Sequence, residues 1–589
     1  MKVFDANITN QVSRLLNKIF KNITSYQIAN SEIFEVFRIK ELFINQEEYD
    51  FLLQKISIIQ TTVGEQDRPE YGDFQTNQVL ANSIATFLKK QKINPKIIIE
   101  PTCGKGSFVL AALEVFPSAE KIICVEIYKP YVWETKFSVI QFYIDNPLEK
   151  KPVIEVNHFN VFDFDFENIA KENQKKEILI IGNPPWVTNS KLSSLESTNL
   201  PKKSNFKNHN GFDAMTGKGN FDIGEYITLM MFDAFQNTKG TFAFLVKNTV
   251  IKNVIYDQKQ RNYNISDLQK FKIDSKKEFA VSVDASLFLC KLNKKPDFTC
   301  TEFDFYNHEK SFNQFGWVNG KFVSSMELYL DSNEIDGICP FEWRQGIKHD
   351  LSSIMELEKT SNGFINGLNQ NVKLEDDLVY GFLKSSDLKS QVIDQARKYT
   401  IVTQKKIGQD TTFIKKRYPN IHSYLHENKT LFANRKSSIY SNKPEYSIFG
   451  VGDYSFFPFK IAISGLYKTF SFSLVMPHEG KPIMLDDTCY FIGFNDIESA
   501  TYTLILLNSQ TTKAFLQAIT FSDAKRTFTK SVLMRIDLLK LVSKLSKKEI
   551  QKELKQLNER FNFKITIDKW EKYLETIKNS SNSEHESLF

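Results

Sequence analysis

Between residues 74 and 300, short and mostly apolar runs alternate with segments of helical periodicity. A run apolar on both sides of its pleat is stable only inside a sheet covered on both faces. Lys96–Ile99, Lys121–Val125, Val153–Val156, Ile178–Ile181, Thr241–Val246 and Ala285–Cys290 read as buried strands, and Gln78–Leu88 and Phe108–Val115 as helices. The expected class is α/β with a parallel sheet.

At 589 residues the chain is too long for one core. Residues 1–66 read as an N-terminal helical region, with Val12, Leu15, Leu16 and Ile19 on one face. Residues 67–330 read as the α/β domain, 340–578 as a mixed α+β domain and 579–589 as a flexible tail. In the third region, strands are expected at Tyr446–Phe449, Tyr454–Phe459 and Cys489–Ile492, followed by helical spacing from Leu538 to Phe561. Residues 187–220, rich in Ser, Asn, Lys and Gly, read as a lid loop. No membrane span or signal peptide is legible. Six cysteines without a Cys-x-x-Cys pair point to a reducing cytoplasm.

Charge divides unevenly. Residues 341–589 hold 36 Lys+Arg against 28 Asp+Glu, and residues 1–340 hold 40 against 42. The window 391–440 alone holds 10 against 3. A basic half joined to a neutral half fits a polyanion-binding module, or equally a solvated lysine-rich surface.

Three motifs follow strand ends. Glu100-Pro101-Thr102-Cys103-Gly104-Lys105-Gly106 is a glycine turn into a helix without the Gly-Lys-Ser/Thr ending of a phosphate cradle. Glu126, 22 residues past Gly104, can accept both hydroxyls of a ribose. Together they suit a cofactor with ribose and adenine but no phosphate, of which S-adenosylmethionine is the common one. Asn183-Pro184-Pro185-Trp186 carries the third chemistry. An Asn oxygen and a Pro carbonyl can accept both N–H groups of an exocyclic amine, favouring tetrahedral nitrogen, while Trp186 offers a stacking face.

This series resembles the adenine-N6 DNA methyltransferases whose cofactor motif precedes the catalytic motif and whose target-recognition domain is C-terminal. The resemblance implies a Rossmann-like S-adenosylmethionine-dependent methyltransferase domain. In it Tyr71 and Thr76, from Tyr71-Gly72-Asp73-Phe74-Gln75-Thr76, would face the cofactor's methionine end, with Asn77 where the family usually has Pro. Glu100, Gly104 and Gly106 would form the cofactor loop, and Glu126 and Ile127 the ribose and adenine contacts. Asn160 stands where an Asp usually meets the adenine, with Asp163 and Asp165 as alternatives. Tyr226, from Phe221-Asp222-Ile223-Gly224-Glu225-Tyr226, would pack on the adenine. Asn183, Pro184, Pro185 and Trp186 would be catalytic, with Asn183 also at the cofactor. Phe279 would sandwich the target base against Trp186, its alternative being a core phenylalanine. Phe341–Ile347 and Gly450–Phe456 resemble pieces of the related recognition domains.

The implied partner is double-stranded DNA, with S-adenosylmethionine as cofactor, no metal and no membrane. The expected activity is site-specific methylation of a flipped-out adenine in a restriction-modification or phage-defence setting, in a bacterial cytoplasm and on the nucleoid when DNA-bound. Phosphate contacts are expected from Arg397, Lys398, Lys405 and Lys406, from Lys415, Lys416 and Arg417, from Arg435 and Lys436, and from Lys525 and Arg526. Cys103 and Cys124 read as packing residues. Cytosine-N4 methylation, protein-glutamine methylation and a catalytically silent DNA-binding subunit stay open as alternatives. A separate restriction endonuclease or defence subunit is left open as a partner, and no nuclease motif is legible in the first 66 residues.

Overall fold

A computed structural model describes residues 8–57, 74–188, 222–521 and 526–586, with side chains to residue 580. Two compact units meet in sequence between Phe322 and Val323.

The first unit is built on one large sheet. Its strands are β1 (Ile39–Lys40), β2 (Ile97–Glu100), β3 (Lys121–Glu126), β4 (Val153–His158) and β5 (Ile178–Gly182). They continue with β6 (Gly240–Lys247), β7 (Ile265–Lys272), β8 (Ala285–Leu292), β9 (Thr299–Asp304) and β10 (Asn313–Val318). The helices are α1 (Asn10–Ile19), α2 (Tyr26–Phe37), α3 (Gln46–Ser57), α4 (Gln78–Lys90) and α5 (Ser107–Val115). After them come α6 (Lys129–Asp145), α7 (Phe166–Glu172), α8 (Ile223–Phe235), α9 (Asn248–Arg261) and α10 (Ser275–Phe279).

These strands lie in the order β1-β4-β3-β2-β5-β6-β8-β7-β9-β10. From β1 to β6 every pairing is parallel. The parallel expectation needs correcting beyond that point: β8 runs antiparallel to both β6 and β7, and β9 antiparallel to β10. A wholly buried strand shows the same apolar run in either direction, so composition cannot report its sense. From β2 the chain moves outward through β3 and β4, then returns to place β5 on the other side of β2. That reversal opens a crevice at the carboxyl ends of β2 and β5, the place where open α/β sheets bind ligands.

Local rules explain why these elements form. In α4, Asn77 caps the first turn by accepting from the Leu80 N–H at 2.8 Å. Leu80, Ile84, Ala85 and Leu88 repeat on its buried face, and Lys89 and Lys90 sit at the negative end of the dipole. Strands β2 and β5 are buried at every position, as sheet centres with helices on both faces should be. The N-terminal helices share this core, where Val12, Leu16 and Phe43 join Trp133 and Ile122 in one cluster. Strand β1 extends the sheet beside β4. Two residues carry no periodicity, so the sequence reading had only helix there.

The second unit holds a five-stranded sheet in the order Arg344–Gln345, Cys489–Phe494, Phe459–Ser464, Ser473–Val475, Val392–Ile393. A six-stranded sheet includes Glu356–Thr360, Lys398–Ile401 and Val379–Leu383. Strand Cys489–Ile492 is present, but the strands expected at Tyr446–Phe449 and Tyr454–Phe459 are not. Positive φ at Tyr446 and Gly450 bends the first segment, which keeps a single bridge from Phe449 to Lys348, and Asp453–Phe456 coils into a 3-10 turn. The helical spacing from Leu538 to Phe561 is broken at Ser546, which starts a new helix with a capping box to Glu549.

One pH effect follows from this unit. His349 is only 7% exposed, and burial holds its imidazole down to about 4 against the pull of Glu356. Below about pH 6.5 the unfolded chain takes a proton that the folded chain refuses until about pH 4. Stability is therefore lost as pH falls through that window, by roughly 3 kcal/mol. Thermal unfolding across pH 4–7 should show this loss, and His349→Asn should flatten it, since an Asx turn keeps the bond now made from the Leu351 N–H.

Candidate active site

The turn after β2 passes through the left-handed region at Gly104 (φ +53°) and Gly106 (φ +85°). A Cβ on Gly104 would strike Gln75 Oε1, and one on Gly106 would stand 2.7 Å from Thr135 Cγ2. Gln75 Oε1 accepts from the Lys105 N–H at 3.0 Å, and the Thr135 hydroxyl donates to the Gly104 carbonyl at 3.0 Å. Both positions thus need glycine for their backbone angle, and Gly106 needs it for space as well.

Glu126, at the end of β3, closes the turn from the side. One carboxylate oxygen accepts from the Gly104 N–H at 2.9 Å and the other from the Tyr128 N–H at 2.7 Å. Beside it Ile127 is 42% exposed, an apolar surface next to a pinned carboxylate.

Glu100 is buried, with Oε2 lacking a hydrogen-bond partner. Burial first, then the neighbouring Cys124 and Glu126, hold its carboxyl well above the usual range. Its Cγ lies 3.6 Å from where a Cβ on Gly182 would stand, so the ends of β2 and β5 are in contact. Cys103 and Cys124 are buried, and a hydrogen bond between them, then burial, push the Cys103 thiol up.

Asn183 follows β5 directly. Its Nδ2 donates to the Phe74 carbonyl at 2.8 Å and to Thr76 Oγ1 at 3.2 Å. These bonds fix the flip of the amide and leave Oδ1 buried with no partner. Such an acceptor costs about 1–3 kcal/mol and is kept where something else satisfies it. The N-terminus of α8 packs behind the turn, placing a Cβ on Gly224 3.5 Å from the Pro185 carbonyl.

Trp186 is buried, its indole N–H donating to the Leu245 carbonyl at 3.4 Å. Phe279 lies against it with ring centroids 4.9 Å apart at 65°, and Phe74 lies 5.6 Å away. The slot expected between Trp186 and Phe279 is therefore closed. The two apolar surfaces bury each other in an edge-to-face contact, which leaves no layer for a base.

The remaining residues divide. Thr76, Asn183, Gly104 and Glu126 are brought together through Gln75 and Ser107, whose hydroxyl donates to the Thr76 carbonyl at 2.7 Å. Asn160 Oδ1 accepts from the Phe162 N–H at 3.1 Å, so it caps a local turn. Asp163 is in that turn, and Asp165 caps α7. Tyr226 meets the Phe162 ring edge-on at 5.5 Å. Tyr71, Phe221, Lys525 and the loop over 189–220 lie outside the described residues. Sequence reasoning missed Gln75 and Phe74 as contacts, although both lie in the hexapeptide that flagged Thr76. Phe162, two residues past Asn160, was also within reach, whereas Thr135 carried no signal.

In the second unit Arg435 is engaged internally, donating to the carbonyls of Ser447 (2.7 Å) and His349 (3.2 Å) with its guanidinium 3.5 Å over Tyr440. Lys398 pairs with Glu356, Arg397 with Asp387 and Arg526 with Asp487. Lys405, Lys406, Lys415, Lys416, Arg417 and Lys436 are exposed. The segments Phe341–Ile347 and Gly450–Phe456 converge: a Cβ on Gly450 would strike the Gly346 carbonyl, and the Arg344 guanidinium lies 4.9 Å over Tyr454.

The chain is 39% identical over 482 residues to the Type II methyltransferase M.NspV of Nostoc sp. (strain ATCC 29411 / PCC 7524), an alignment spanning 80% of this chain and 97% of that one. Among solved structures it resembles the Type IIL restriction-modification enzyme MmeI in complex with DNA (TM-score 0.46, 12% identity, 87% of this chain and 76% of that one). It also resembles a nuclease-deletion mutant of the Type ISP restriction-modification enzyme LlaGI with a DNA substrate mimic (TM-score 0.44, 12% identity, 90% and 61%). No protein-family model matches the chain.

Proposed function

The chain belongs to the Type II methyltransferases, and from that premise we propose that it is a site-specific DNA methyltransferase of a restriction-modification system, moving a methyl group from S-adenosylmethionine to the N6 amine of an adenine swung out of the duplex. Catalysis is assigned to 67–330 and target recognition to 340–578. The observation that carries the reading is the partnerless Asn183 Oδ1, oriented by two bonds from its own amide and set at the end of the strand beside the Gly104–Glu126 turn.

The cofactor fits the residues present. Glu126 and Ile127 would hold ribose and adenine, with Tyr226 and Phe162 beside them, and Gly104, Gly106, Glu100 and Thr76 would hold the methionine end. When bound, it supplies a methyl group on a positively charged sulfur. The chain's own residues prepare the acceptor. Asn183 Oδ1 and the Pro184 carbonyl accept the amine's two N–H groups, drawing the nitrogen out of conjugation with the ring. Pro184 and Pro185 stiffen the turn and add no competing N–H. Trp186 supplies the stacking face, and extrusion costs a few kcal/mol that the pocket offsets. Positioning and fixed dipoles supply the rate. Phosphate contacts are assigned to the exposed Lys405, Lys406, Lys415, Lys416, Arg417 and Lys436, with Arg435 left to its structural bonds.

Incubation of the protein with labelled S-adenosylmethionine and mixed-sequence DNA, then digestion to nucleosides, should yield N6-methyladenine. N4-methylcytosine, or label found only in protein, would replace this reading with one of its alternatives. Methylation-sensitive sequencing of the same DNA returns the recognition site.

A further inference from the structure

The segment from Phe74 to Asn77 touches three places in the site at once. The Phe74 carbonyl and Thr76 hydroxyl hold Asn183, and the Phe74 ring lies against Trp186. At the segment's end, Asn77 Nδ2 reaches across 201 positions of sequence to donate to Glu278 Oε2 at 3.1 Å. The other Glu278 oxygen accepts from the Tyr306 hydroxyl at 2.9 Å. Glu278 is the residue before Phe279, and its carboxylate is largely shielded, at 12% side-chain exposure. The α10 helix that carries both ends at Ala280, a non-glycine residue in the left-handed region (φ +56°). Such a backbone persists where its surroundings hold it.

We propose that Asn77, Glu278 and Tyr306 form a clamp that positions Phe279 over the target base, an inference that rests on the base-stacking reading above. Phe279 closes the slot against Trp186, so an incoming base must turn the ring aside and then be covered by it. The clamp keeps the Phe279 backbone in place while the ring exchanges its edge contact with Trp186 for a face contact with the base. The same short segment holds the amide of Asn183, so both walls of the slot and the group that binds the amine share one support. Asn77, Glu278 and Tyr306 are positioning residues, acting through Phe279 and touching neither base nor cofactor.

Asn77→Ser tests the clamp cleanly, because a serine still caps α4 but is too short to reach Glu278. Single-turnover methylation of a duplex carrying the recognition site should slow roughly tenfold, the worth of one hydrogen bond to a charged group. Affinity for S-adenosylmethionine should be unchanged. On a duplex in which the target adenine is mispaired, extrusion costs less and the defect should shrink to about twofold. In a Phe279→Ala background, Asn77→Ser should have no further effect, and Tyr306→Phe should behave likewise. An equal loss on both duplexes, or a loss that persists without Phe279, would mean that these bonds merely stabilise the fold, and the clamp would be wrong. Failure of the wild-type protein to methylate adenine would instead sink the underlying reading, so the two failures are distinct.

Discussion

Asn183→Ala should lower methyl transfer by a factor on the order of 10²–10³ while leaving DNA binding intact. The size is that of removing one preorganised polar group aimed at the reacting centre. Two effects combine. The substitution deletes Oδ1, the buried acceptor without a partner, and it removes Nδ2 from the Phe74 carbonyl and the Thr76 hydroxyl. Asn183→Asp would be no gentler, since a carboxylate would then face the Phe74 carbonyl with no N–H to offer. Single-turnover rates measured beside DNA binding by fluorescence anisotropy separate the chemistry from the grip. Activity within tenfold of wild type would remove Asn183 from the mechanism.

Gly106→Ala should cost the first unit about 2–5 kcal/mol and weaken binding of the proposed S-adenosylmethionine cofactor at least tenfold. A non-glycine residue at φ +85° carries about 1–2 kcal/mol of strain, and forcing a methyl group against Thr135 adds about 1–3 kcal/mol. Thr135 cannot step aside freely, because it is wholly buried and its hydroxyl holds the Gly104 carbonyl. The pair Gly106→Ala with Thr135→Ser distinguishes the two costs. Serine keeps the hydroxyl and lacks the methyl that stands 2.7 Å away, so the steric part should be partly recovered and the backbone part should remain. Calorimetric unfolding and cofactor titration of the three variants check this. No recovery in the double variant would assign the whole loss to φ.

Motifs were legible where the local need lies within a few consecutive residues at a strand end. Glycine at 104 and 106, the carboxylate at 126 and the amide at 183 each announce a backbone or hydrogen-bonding need that is local. The alternation of apolar runs and helices likewise implied that β2, β3 and β5 are buried strands, because a strand hydrophobic on both faces has nowhere else to go. The reading failed where the same composition supports more than one arrangement. A buried run does not disclose its direction, so the antiparallel β8 was taken as parallel, and aromatic residues near Tyr446 and Tyr454 passed for strands although their backbone turns.

Asn77 shows the boundary best. In the chain it is only the residue before a helix, standing where the resembled motif usually has proline. In the fold its second functional group meets Glu278 and thereby the residue next to Phe279. The closed contact of Phe279 on Trp186, the placing of Gln75 over Gly104 and the addition of Ile39–Lys40 to the sheet are of the same kind. Local stereochemistry and hydrogen-bonding capacity belong to the residue itself and can be read one position at a time. Which distant side chains share a volume depends on how buried surfaces divide the interior among them, and that is settled only when the whole chain packs.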